Sequence, residues 1–325
     1  MRRMIEAGAM GAAHRPRRTL LKRLLLAPVI GALPLSGAMT ASRLRIVSVG
    51  GAITETLFAL KAGDRIVGVD STSTFPAQAR QLPSVGYMRT LSAEGVLALA
   101  PTHLIANEDA GPPAVLRQLT EAGVKVHILG AGHRYEGLLE RSARMGELLA
   151  LQPRAQTLIN QLKQDWQAAN ARINSLRELV AQRPGGQPVR VLFVMSHSLS
   201  QVLVAGGDNA ADSMLSYAGL VNPLKQQFPG YKALTSESAI AANPDVILVT
   251  QQGLQAAGGI EGVLQLPGLA STPAGRAKRV VAMDAPLLLG FGPRLPEAVS
   301  QLAERCSAAV LPMGRGSAAG RPVGS

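Results

Sequence analysis

The chain repeats part of itself. Gly86-Tyr87-Met88-Arg89-Thr90-Leu91-Ser92-Ala93-Glu94 returns about 140 residues later as Gly230-Tyr231-Lys232-Ala233-Leu234-Thr235-Ser236-Glu237. The two copies then run on alike. Gly95 to Ala106 and Ser238 to Val249 each read as a capped short helix, a turn marked by Pro101 or Pro244, and a buried strand. A supersecondary unit used twice predicts two similar lobes facing each other across a cleft, with each Gly-Tyr pair where its lobe's loops meet that cleft.

The rest of the pattern is α/β, with mainly parallel sheets in both lobes. In the first lobe, 44–150, a strand over Leu44–Val49 leads through Gly50-Gly51 into a helix. Further strands follow at Ile66–Val69, from Leu104 and at Lys125–Leu129. Gly50-Gly51 fits neither dinucleotide nor P-loop spacing and reads as a tight turn. From Arg154 to Gln182, apolar residues recur every three or four positions among polar ones. This predicts one long helix within 151–183 that bridges the lobes. The second lobe, 188–308, opens on the strand Val189–Met195 and repeats the scheme.

Residues 1–38 read as an export signal: Arg17-Arg18 and Lys22-Arg23 precede an apolar run from Leu24 to Leu35 and a small-residue cleavage region, with cutting after Ala38 or Ala41. Sec export and the twin-arginine route both fit. No Cys follows the apolar run, so a free periplasmic protein is expected. The single cysteine, Cys306, allows no internal disulfide, zinc cluster or iron–sulfur site. The formal charge of +12 includes seven Lys/Arg and one Asp/Glu in 1–38, which leaves +6 for the mature part. A modest positive balance suits an anionic ligand. No dense basic run with interleaved aromatics points to nucleic acid. The Gly/Ala/Arg/Ser-rich tail, 311–325, reads as disordered.

In a chain that is only 3% aromatic, a tyrosine in a loop before a helix stands out. Tyr87 follows Gly86 and lies two residues before Arg89. A ferric ion and a nearby guanidinium both favour a phenolate, and tyrosinate is an axial ligand of haem iron. Of five histidines, His197 follows directly on a buried strand, at the strand end where α/β sheets present ligand groups. A flat apolar macrocycle also needs a greasy slot, for which Met88, Met195 and Phe291 are available. Its propionates need cations such as Arg89, Lys232 or Arg294.

Taken together, the Tyr87 stretch, Phe193 to His197, Ala205-Gly206-Gly207 with Asn209 and Asp212, the Gly230 to Glu237 segment and Gly290-Phe291-Gly292-Pro293-Arg294 resemble the periplasmic haem-binding proteins of bacterial ABC haem importers. The likeness runs over roughly 44–306. It implies a helix-bridged two-lobe fold with a ligand cleft between the lobes and haem, as ferric iron, for cargo. It also implies Tyr87 as the axial ligand, with His197 the match for a second ligand, and Arg89, Tyr231, Lys232 and Arg294 around the ligand. The implied partners are an inner-membrane haem permease with its cytoplasmic ATPase and an outer-membrane haem receptor system upstream. One glutamate per lobe docks on the permease in such importers, and Glu94 and Glu237 match. Cobalamin and siderophore binders share the fold and remain the alternative. An enzyme is not expected, since there is no G-x-S-x-G, no paired metal-ligand histidines and no nucleotide loop.

Overall fold

The computed structural model describes residues 44–183, 185–198 and 201–311, without the side chains of 196–198 and 201. The expected export signal and the tail beyond Leu311 lie outside the described residues. The first sheet holds β1 (Ile46–Val49), β2 (Ile66–Val69), β3 (His103–Ala106) and β4 (Lys125–Ile128), all parallel in the order β2-β1-β3-β4. All four residues of β1 and of β3 are buried, because helices cover both faces of the central strands. Hence their unbroken apolar runs.

The second sheet holds β5 (Val191–Ser198), β6 (Gln201–Ala205), β7 (Tyr231–Ala233), β8 (Val246–Thr250) and β9 (Val280–Met283) in the order β7-β6-β5-β8-β9. It is mixed. β5, β8 and β9 run parallel, whereas β6 turns back against β5 and β7 against β6. The mainly parallel reading therefore applies fully to the first lobe and only to one side of the second.

The repeat extends further than its sequence shows. Ser92 caps the helix Ala93–Leu97 and Thr235 caps the helix Ser236–Ala242. Ala100 and Asn243 leave those helices with φ of 44° and 43°, just before Pro101 and Pro244. An arginine clamps each helix end. Arg45 donates through Nε to the Ala100 carbonyl and through Nη2 to Leu99, and Arg190 does the same to Asn243 and Ala242. These side chains satisfy carbonyls that a helix C-terminus leaves unpaired.

The helix Gln152–Ala181 bridges the lobes. Thirty residues span about 45 Å, and the helix buries Ala155, Leu162, Ala169, Ile173 and Val180 along one stripe. Three of the few aromatics meet on it: Tyr135 stacks on Trp166 at 4.3 Å, Tyr217 meets Trp166 edge-on at 5.1 Å, and Tyr217 Oη accepts the Tyr135 N–H at 3.0 Å. One core cluster thus contains residues of both lobes and of the bridge.

A buried polar seam also joins the lobes. Arg294 grips Glu55 with two hydrogen bonds of 3.0 and 2.5 Å and lies 3.8 Å over the Phe75 ring. Arg141, 3% exposed, donates to the carbonyl of Phe291. Burial lowers the Arg141 guanidinium to about 10, against the pull of Glu108 and Glu55.

Candidate functional site

Tyr87 is placed by its neighbours. Gly86 adopts φ +89°, a backbone angle that side chains rarely accept, and turns the chain out of its bridge with the first sheet. Tyr87 then caps a single 3₁₀ turn, Met88–Thr90. That turn is fastened to the loop after β3: Gly111 N–H donates to Met88 O and Leu91 N–H to Gly111 O, both at 2.9 Å. The same loop carries Asp109. Arg89 reaches from Asp109 Oδ2, at 2.8 Å, to the Tyr87 hydroxyl oxygen, at 3.0 Å. Burial opposes the charge of Arg89, but Asp109 and Tyr87 more than offset it and raise its pKa. The phenol itself stays open to solvent, 41% exposed.

The second repeat is built differently. Gly230, at φ +71°, leads straight into β7, so Tyr231 is a strand residue and not a turn residue. A polar knot holds this corner. Asn209 Nδ2 donates to the carbonyls of Gly206, Gly207 and Gly230, each at 3.0 Å, while its Oδ1 caps the next helix through Asp212 N–H. Asn222 adds bonds to Gly206 O and Asp212, and Lys225 pairs with Asp212 at 3.1 Å. Burial raises the pKa of the Tyr231 phenol, while the Ala211 N–H and the charge of Arg89 pull it down. Arg89 belongs to the other lobe. Arg89 thus bonds the Tyr87 hydroxyl and lies near enough to Tyr231 for its charge to act there.

The remaining candidates are scattered around that centre. Lys232 points to the opposite side of β7 from Tyr231, with Nζ 4.9 Å from the centre of the Phe228 ring. Arg294 is engaged by Glu55 and Phe75 in the interlobe seam. Phe291, 3% exposed, is core and meets the His133 ring edge-on at 5.4 Å. His197 lies near the end of β5, and its side chain lies outside the described residues. Glu94 and Glu237 are exposed on their helices.

Asp109, Glu55, Arg141 and Asn222 did not stand out in the sequence. Two grooves of about 420 and 470 Å³ are also present, one beside Ile173 and Gly219 and one beside Asp165 and Pro296 that Arg294 helps to line. Neither is lined by Tyr87 or Arg89.

The comparisons with known proteins agree with this architecture. The periplasmic haem-binding protein BhuT, solved in complex with two haems, is 45% identical, superposes with a TM-score of 0.75, and the match covers 82% of this chain and 98% of that one. The apo form of RhuT, a periplasmic haem-binding protein from Roseiflexus sp. RS-1, is 40% identical with a TM-score of 0.74, over 82% of this chain and 98% of that one. YvrC of Bacillus subtilis (strain 168), an uncharacterised ABC transporter substrate-binding lipoprotein, is 26% identical over 262 residues, 80% of this chain and 79% of that protein. Residues 46–287 match the family described as periplasmic binding protein, and the chain belongs to that family.

Proposed function

We propose that this protein captures ferric haem between its lobes, with Tyr87 as an iron ligand, and delivers it to an ABC permease. The observation that carries the reading is the Asp109–Arg89–Tyr87 chain. A guanidinium anchored by a carboxylate is set on the one exposed phenol of the repeat, where it supplies positive charge beside the oxygen that would bind iron as phenolate. A hard anionic oxygen favours ferric over ferrous iron, which suits an oxidising compartment and release without electron transfer.

Haem meets the second lobe at Tyr231, with Lys232 on the rim. Arg89, with 53% of its side chain exposed, and the exposed Lys232 are more open to propionates than Arg294, at 20%, although a propionate at Arg89 competes with Asp109 as one at Arg294 does with Glu55. His197 is the candidate second ligand. The protein is exported through the segment 1–38, works downstream of an outer-membrane haem receptor system, and docks on the permease through Glu94 and Glu237.

Hemin titration with iron quantitation tests the reading. Saturable uptake with the absorption spectrum of tyrosinate-ligated ferric haem supports it, and a spectrum that stays that of free hemin overturns it. In His197→Ala, an altered spectrum or stoichiometry is expected; unchanged values assign that residue to the scaffold.

A further inference from the structure

We infer that each lobe docks on the permease through a paired anchor, an exposed carboxylate with an exposed aliphatic side chain one helical turn further on: Glu94 with Leu97, and Glu237 with Ile240. The inference rests on the docking reading above and adds an apolar contact to it.

Eight large apolar residues are exposed among the described residues, and two of them hold the same place in the two repeats: Leu97, 37% exposed, and Ile240, 52% exposed. The two short helices are buried alike. Leu91 and Leu234 are tucked in before the caps, Val96 and Ala239 are fully buried, and Glu94, Leu97, Ala98 and their counterparts Glu237, Ile240 and Ala241 face out. A spacing of three puts each acid and its aliphatic partner on one face.

The acids lie in the first turns of their helices but do not cap them. Ser92 Oγ and the reciprocal Thr235–Ser238 pair serve the helix starts. Among the described residues, neither glutamate side chain makes a hydrogen bond or an ion pair. Two unpaired carboxylates on a net basic chain, each beside a bare aliphatic side chain and related by the internal repeat, fit one kind of partner. It is a pair of like subunits, each with a cationic side chain next to an apolar pocket. That description fits the outer face of a two-subunit permease.

Chemistry divides the work between the two halves of each anchor. Exposed charges steer the encounter and set orientation, in a salt-dependent way. Burial of Leu97 and Ile240 adds area that slows dissociation and is insensitive to salt.

The experiment follows binding of hemin-loaded protein to the permease–ATPase complex of the same organism in lipid nanodiscs, at about 50 and 300 mM NaCl. Leu97→Ser with Ile240→Ser should dissociate about tenfold faster or more at both salt concentrations. Glu94→Gln with Glu237→Gln should associate more slowly and lose its salt dependence. Hemin binding and melting should match wild type in both. If the aliphatic double variant dissociates like wild type while the acidic one fails to dock, the apolar anchor is wrong and the docking reading survives. If both dock like wild type, the docking reading fails as well. Light scattering on the free protein covers the other occupant: self-association that the aliphatic double variant abolishes would assign the patch to a second copy of this chain and overturn the inference.

Discussion

The seam between the lobes offers a quantitative test at Glu55 and Arg294. The Glu55 side chain is 7% exposed and that of Arg294 20%, and the two share a bidentate bond across the lobes. Removing one partner of a buried pair strands the other charge, at a cost of about 3–5 kcal/mol. For a protein of this size that is a melting-temperature drop of roughly 10 °C.

Arg294→Met keeps the stem and removes the charge. Glu55→Gln in the same chain removes the stranded carboxylate, so the double variant should recover at least half of the loss. The pH dependence has a definite sign. Burial raises the Glu55 pKa above 4.5, against the pull of Arg294 and Arg141. Such a group adds stability that is fully present below its unfolded pKa and is lost as pH rises through its folded pKa. Without Arg294 the folded pKa rises further, so the deficit of Arg294→Met should be smaller near pH 5 than near pH 8.

Urea unfolding of the haem-free protein at both pH values, followed by two probes to check for a single transition, measures all of this. A deficit under about 1 kcal/mol, or a double variant as unstable as the single one, would refute the claim that this pair holds the lobes together.

Three further outcomes follow from the packing. His103 and His127 stack at 5.5 Å between β3 and β4, and both are lowered, His103 by burial, His127 and Lys125, and His127 by burial and Lys125. The unfolded chain therefore binds more protons as pH falls below about 6.5, and stability declines there. His127→Gln should flatten that decline in a pH series of melting curves, and an unchanged slope would contradict it. Cys306 is fully buried, and burial pushes its thiol up to about 12; a disulfide reagent near pH 8 should label it only after unfolding, and rapid labelling of the native protein would show that the core there is loose. Asn209→Ala removes a helix cap and the donor to three carbonyls. A loss of about 2 kcal/mol and weaker hemin binding through Tyr231 are expected, by melting and titration.

What the sequence revealed depended on how far apart the interacting groups lie along it. The repeat was legible because caps, turns and buried strands are written within a short stretch, as in Ser92 to Ala106. Tyr87 and Arg89 were legible as a pair because they lie two positions apart in one turn. The Arg45 and Arg190 clamps were not, since each arginine meets a helix end more than 50 residues away. Nor was Arg294 with Glu55, separated by 239 positions. Only folding brings such charges together, and no local pattern encodes their pairing. The antiparallel pairing of β6 with β5 was not legible because two apolar runs read equally well as parallel strands. Phe291 was available to the slot and to the core alike, because an apolar side chain beside two glycines has the same sequence signature in both; the fold puts it in the core.

The central claim is that the Tyr87 oxygen binds iron. Its most direct test is the absorption spectrum and hemin affinity of Tyr87→Phe beside wild type, with melting curves to show that both are folded. Loss of the tyrosinate-to-iron charge-transfer band is expected, with affinity reduced about tenfold or more, because the phenylalanine ring keeps the packing and removes the ligand. A variant that binds hemin with the wild-type spectrum and affinity would reduce Tyr87 to a packing residue and contradict the account.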